Sequence, residues 1–116
     1  MDVDDIRVFI PSKNYEASQA FYQALGFRMS KASNDLSIFE LGKSTFFLQR
    51  YYDKAFAENL MLQLIVPDIE KAYRTVAAIE GHDFRFEPIK NEPWGRVVYL
   101  WGPAGELWHI TELQAR

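Results

Sequence analysis

The strongest constraint on this chain is an order of elements that occurs twice. "IRVFI" (6–10) is closed by Pro11 and followed by "SKNYEASQAFYQALGF"; "LMLQLIV" (60–66) is closed by Pro67 and followed by "DIEKAYRTVAAIEG". Each apolar run alternates, as a half-buried strand does. Each proline ends the run because it brings no N–H to a sheet ladder. Asn14 and Asp68 are N-cap residue types, Glu16 and Glu70 stand in the first turns, and Gly26 and Gly81 are stop signals. Laying Asn14-Tyr15-Glu16 on Asp68-Ile69-Glu70 gives one offset, 68 minus 14, or 54 residues. The first helix is expected to bury Tyr15, Ala17, Phe21, Leu25 and Phe27; the second is expected over Glu70–Ile79. Strands are expected at Phe27–Ser30, Leu36–Leu41 and Thr45–Arg50, then at "DFRFEPI", "GRVVYLW" and "ELWHITE". The repeated order predicts an α+β fold, tandem βαβββ repeats forming a curved mixed sheet with a cleft. The whole chain, 1–116, forms one domain, with units at about 5–52 and 59–113.

One helix covers one face of its sheet. Ile6, Val8, Ile10, Leu62, Leu64, Val66, Val98, Leu100, Trp108 and Ile110 suit the covered side. The opposite face then reads Arg7, Phe9, Phe47, Gln49, Met61, Gln63, Tyr99, Trp101 and His109. A water-facing sheet normally carries Lys, Glu and Thr instead. This face is expected to line a cleft or meet a partner chain, the alternative being a second core between the halves. Candidate ligand-binding residues are Phe9, Phe47, Gln49, Gln63, Trp94, Tyr99, Trp101 and His109. For Trp94 the alternative is a turn plug, and for His109 a histidine bonded within the sheet. Arg7 is expected to pair with Glu40, Glu87 or Asp35. His82 is read as exposed at the end of the second helix.

Composition removes several function classes. The 116 residues include no cysteine, so disulfides, thiolate zinc sites and a cysteine nucleophile are out. The net charge is −3 and Lys/Arg are scattered, which argues against nucleic acid as a partner. No run approaches the roughly 20 apolar residues of a membrane helix. The acidic start "MDVDDIRVFI" has no signal-peptide layout, so a cytoplasmic location is expected. No nucleophile elbow or phosphate loop is present, and Asp4/Asp5 read as a solvated chain end. Aromatic residues reach 16%, enough to fill a core and line a cleft.

Two stretches carry a family resemblance over roughly residues 5–113. "EPWGRVVYLWGPAGELWHITE" resembles the bleomycin-resistance proteins of the glyoxalase/bleomycin-resistance/dioxygenase (vicinal-oxygen-chelate) superfamily, and "EASQAFYQALGF" resembles that superfamily's first helix. The resemblance implies a homodimer with two equivalent clefts that bind a small aromatic or cationic ligand. Metal-dependent members place four ligands at positions that fall here on Arg7, Gln49, Met61 and His109. A guanidinium has no lone pair to give, and a thioether suits hard cations poorly. No metal and no cofactor is therefore expected. An enzyme with an atypical metal site and a ligand-free dimerisation module are the alternatives. The chain departs from the resistance proteins at Gln63 and Ile65, where they carry tryptophans. It departs again at Trp101-Gly102, where they usually carry a charged pair such as Arg-Asp.

Overall fold

Asn14 starts the first helix by accepting a bond from Ala17 N at 3.0 Å, and Asp68 starts its counterpart by accepting from Glu70 N and Lys71 N. The computed structural model describes residues 1–114. In chain order the elements are β1 (Phe9–Pro11), α1 (Tyr15–Leu25), β2 (Arg28–Ser33), β3 (Leu36–Leu41), β4 (Ser44–Gln49) and α2 (Lys54–Asn59). Then follow β5 (Met61–Ile65), α3 (Ile69–Ala77), β6 (Arg85–Phe86), β7 (Lys90–Glu92), β8 (Gly95–Trp101) and β9 (Leu107–Leu113). Two mixed sheets result, β1-β4-β3-β2 and β5-β9-β8-β6, with β7 also paired to β8. In both, the strand before the long helix runs parallel to the last strand of its unit and forms an edge. The repeated βαβββ order is thus present, with additions.

Several sequence expectations need correcting. Ile6 is 89% exposed, because β1 begins only at Phe9; the last ladder bond runs from Phe47 N to Val8 O, and Ile6 N turns to the Asp5 carboxylate instead. Ala17 is exposed; the stripe that α1 buries is Tyr15, Ser18, Phe21, Tyr22 and Leu25, at spacings of three and four. Gly26 does end α1, at φ 118°, where other residues are strained. Gly81 does not end α3, whose last turn tightens at Ala78 through an Ile79 N to Val76 O bond. "DFRFEPI" is not one strand. After the Glu87 N to Tyr99 O bond the register against β8 slips by one residue across Pro88-Ile89, and pairing resumes at Lys90. The second sheet therefore has five strands rather than four. Helix α2 is an element beyond those expected from the repeat; Asp53 caps it by accepting from Phe56 N.

Alternation on the strands sorts the side chains. Ile10, Leu48, Phe46 and Phe39 point to the helix side of the first sheet, and Val98, Leu100, Trp108 and Ile110 do so on the second. These residues join Tyr22, Phe21, Phe27, Ile69 and Val76 in one core shared by both units. At its centre runs a hydrogen-bond chain. Trp108 Nε1 donates to Tyr22 Oη at 3.0 Å, and Tyr22 Oη donates to Glu106 Oε2 at 2.5 Å. Glu106 Oε1 accepts from Ala104 N at 2.9 Å. Both Tyr22 and Glu106 are fully buried. Gly102 faces the same carboxyl so closely that a Cβ there would lie 2.6 Å from its Cδ.

Burial holds the Glu106 carboxyl above its ordinary range, and burial next to that carboxyl pushes the Tyr22 hydroxyl well above its own. A raised folded-state value means the native protein keeps a proton that the unfolded chain has already released. That contribution to stability is present at low pH and is lost as pH rises from the ordinary carboxylate range through the raised value. The Tm difference between wild type and Glu106→Gln is therefore expected to shift against wild type as pH increases; a difference independent of pH would contradict this. Gly102→Ala is expected to cost about 1–3 kcal/mol through overpacking. In a Glu106→Ala background most of that cost disappears, which a double-mutant cycle by denaturant unfolding measures.

Candidate functional site

The outward faces of the two sheets carry most of the expected residues. Register places Phe9 beside Phe47 on the first sheet, with ring centroids 4.9 Å apart. Gln49 follows on the same face, half-buried between Pro11 and Leu36. On the second sheet Gln63, His109 and Tyr99 stand in one row across β5, β9 and β8. Tyr99 and His109 meet edge to face at 4.9 Å. The neighbouring row holds Met61, Leu107, Trp101 and Arg85. Trp94 is placed differently. It is 47% exposed at the turn before β8, seven residues from Trp101 and so about 23 Å away along an extended strand.

These faces are unusually apolar for surfaces open in a single chain. Phe9 is 46% exposed, Met61 64% and Ile65 57%. Arginines lie on two of the rings: Arg85 sits 3.8 Å over Trp101, and Arg7 sits 5.8 Å over Phe47. Arg7 pairs with Asp5 at 3.2 Å rather than with any of the three expected carboxylates; Glu40 is taken by Arg28 and Asp35 by Arg50. Arg85 makes no ion pair among the described residues. It borders a depression of ≈ 440 Å³ with Trp101, Asp83, Glu58, Pro103 and Gly105. A separate slot of ≈ 510 Å³ opens between the units, lined by Arg7, Val8, Phe46, Leu62, Gln63 and Trp108.

Arg85 is not among the residues that the sequence patterns mark, although the alternation Phe84-Arg85-Phe86 puts it on the outward face opposite Trp101. Glu106 was missed because "ELWHITE" reads as a strand with a polar start. His82 is half-buried rather than exposed, with its ring 6.3 Å from that of Phe21.

His109 Nε2 is buried and finds no hydrogen-bond partner among the described residues. An orphaned polar atom of this kind costs stability. The site's metal-binding capacity is limited by chemistry and by register. Gln49 lies opposite Pro11, four residues past Arg7, or about 13 Å along the strand. Met61 lies opposite Leu107, and His109 opposite Gln63. Among the described residues no group of three or more His, Asp or Glu gathers as a metal would require. The residues at these positions do not fit such a centre. Replacing His109 by leucine is expected to leave Tm unchanged or raise it. A loss above about 1 kcal/mol would mean that the imidazole makes a stabilising bond.

Among the described residues no helix is long and apolar enough to cross a membrane. No protein-family model and no curated protein matches the sequence. Solved structures do match in fold. A bleomycin resistance determinant encoded on the transposon Tn5 superposes with a TM-score of 0.82 at 20% identity, over 97% of this chain and 100% of that one. The bleomycin-binding protein of bleomycin-producing Streptomyces verticillus, complexed with copper(II)-bleomycin, gives 0.83 at 19% identity, over 98% and 99%. The fosfomycin resistance protein FosX from Listeria monocytogenes, complexed with Mn(II) and sulfate, gives 0.77 at 11% identity, over 98% and 93%. The fold is therefore the one that the sequence resemblance implied, that of the glyoxalase/bleomycin-resistance/dioxygenase superfamily.

Proposed function

We propose that this protein binds a small molecule without a metal, in the manner of the bleomycin-binding proteins whose fold it shares. The ligand is aromatic or cationic and lies in a cleft at a homodimer interface. The observation that carries this reading is the pair of outward sheet faces. Each presents paired rings, Phe9 tilted against Phe47 and Tyr99 edge to face with His109, beside amides that can fix a ligand's orientation, Gln49 and Gln63. Left open to water, such faces are costly; a second copy of the chain would cover them and turn two shallow surfaces into clefts. The unpaired edges of β1 and β5 favour the same arrangement. Trp101 stacks on the ligand once Arg85 moves aside, or the ligand stacks on the guanidinium itself. Trp94 reaches the ligand only from the far end of β8. The role is binding without chemical change, in the cytoplasm.

Titration calorimetry with metal-free bleomycin tests the ligand class. Saturable heat is expected, and its absence would remove a bleomycin-type ligand. Phe47→Ala and Trp101→Ala are each expected to cost about 1 kcal/mol of binding, roughly five-fold in Kd. Light scattering is expected to give twice the chain mass. The likeness to FosX supports one rival, an enzyme of the same fold with an atypical metal site. Elemental analysis of tag-free protein after exposure to Mn²⁺, Ni²⁺, Fe²⁺ and Zn²⁺ separates the two, since stoichiometric metal lost in His109→Ala would favour the enzyme.

A further inference from the structure

The turn that follows Trp101 is built around a side chain rather than by the sheet alone. Its backbone closes on itself through Gly102 N to Glu106 O at 2.8 Å and Gly105 N to Gly102 O at 3.0 Å. Inside that closure lies the Glu106 carboxyl, held by Ala104 N on one oxygen and by Tyr22 of α1 on the other. The space it fills is the space that a side chain at residue 102 would take, since all three carboxyl atoms stand 2.6–2.8 Å from a Cβ built there. The carboxyl thus joins the turn to the helix of the other unit. The turn is continuous with Trp101 and Leu107, which face each other across β8 and β9, and with Pro103 and Gly105 at the rim of the depression beside Arg85.

We propose that Glu106 is a positioning residue for the wall that carries Trp101: its buried carboxyl sets where the 102–106 turn stands against α1, and a change of charge on it moves that wall. The groups facing it offset that charge only in part, through the Tyr22 and Ala104 donors, and supply no cation. On α1 there is the Tyr22 hydroxyl, and beyond it the Trp108 indole of β9. From α2, Glu58 lies against Gly105, which adds a second negative charge outside the turn. Arg85 and Asp83 border the depression on its far side. Among the described residues no cation lies within ion-pair distance of Glu106. Burial without a counter-ion favours the protonated carboxyl, so the charge appears as pH rises above the ordinary carboxylate range.

This inference rests on the proposed function only in naming a ligand wall, and its first test needs no ligand. Acrylamide quenching of tryptophan fluorescence is followed from pH 4 to 8 in wild type, Glu106→Gln and Trp101→Phe. Wild type is expected to show a transition in quenching. Glu106→Gln, which keeps the volume without the charge, is expected to lose it. Trp101→Phe is expected to lose most of its amplitude. A flat wild-type profile or a transition retained in Glu106→Gln overturns the proposal. So does full amplitude in Trp101→Phe, because the signal would then come from Trp108, bonded to Tyr22, or from Trp94, and not from the wall. Calorimetry with metal-free bleomycin as the probe forms the second arm. Its affinity is expected to depend on pH in wild type and not in Glu106→Gln, and equal pH dependence in the two overturns the proposal. A wild type that binds no bleomycin refutes the ligand class, and the quenching result still decides the role of Glu106.

Discussion

The chain of hydrogen bonds from Trp108 through Tyr22 to Glu106 is the constraint on which the arrangement of the two units turns. Tyr22 belongs to the first unit's helix, and Trp108 and Glu106 to the second unit's last hairpin. Apolar burial is non-directional and would tolerate sliding of one unit over the other. A fully buried donor and carboxyl tolerate none, because each must find its partner in one register or be left unsatisfied. The rings around the chain take their orientations from it. Tyr22 meets Phe39, Phe46 and Trp108 edge to face at 5.0–5.9 Å, and Phe39 stacks on Phe46 at 5.3 Å. Specificity of packing is thereby bought with a buried acid.

With the inner faces committed to one shared core, the outer faces are left with rings that a solvent-facing sheet would not carry. The strand period of two makes this unavoidable: the register that buries Ile10, Leu48, Leu100 and Trp108 also turns Phe9, Phe47, Tyr99 and His109 outward. The candidate site and the core are two readings of the same ladders. An insertion within β9 would exchange the faces and remove both together.

Much of this was legible in the residues. Capping residues act on the turn beside them, so Asn14 and Asp68 marked helix starts correctly, and alternation placed β3, β8 and the inward Trp108. Errors arose where a neighbour distant in sequence decides. Ile6 alternates properly but has no ladder to join, and "DFRFEPI" is divided by a one-residue slip against β8 that only the partner strand reveals. Arg7 is the reverse case: Asp5, two residues away, takes it in place of the distant acids. In the site, the strand period showed which face each ring takes, but not that Arg85 would lie over Trp101. Burial of Glu106 was invisible because a carboxylate is the residue type least expected inside, and its partner Tyr22 lies 84 positions away.

The shared space of Gly102 and Glu106 has a consequence for how such a chain can change over generations. A side chain at 102 and a carboxyl from 106 compete for one volume, so the tolerance of either position depends on the residue at the other. Steps toward a charged residue before Pro103, as in the resistance proteins this chain resembles, are open only after residue 106 has shrunk. The reverse route requires residue 102 to be cleared first. Mutational history at this turn is therefore ordered, and two positions four apart in sequence behave as a single heritable unit.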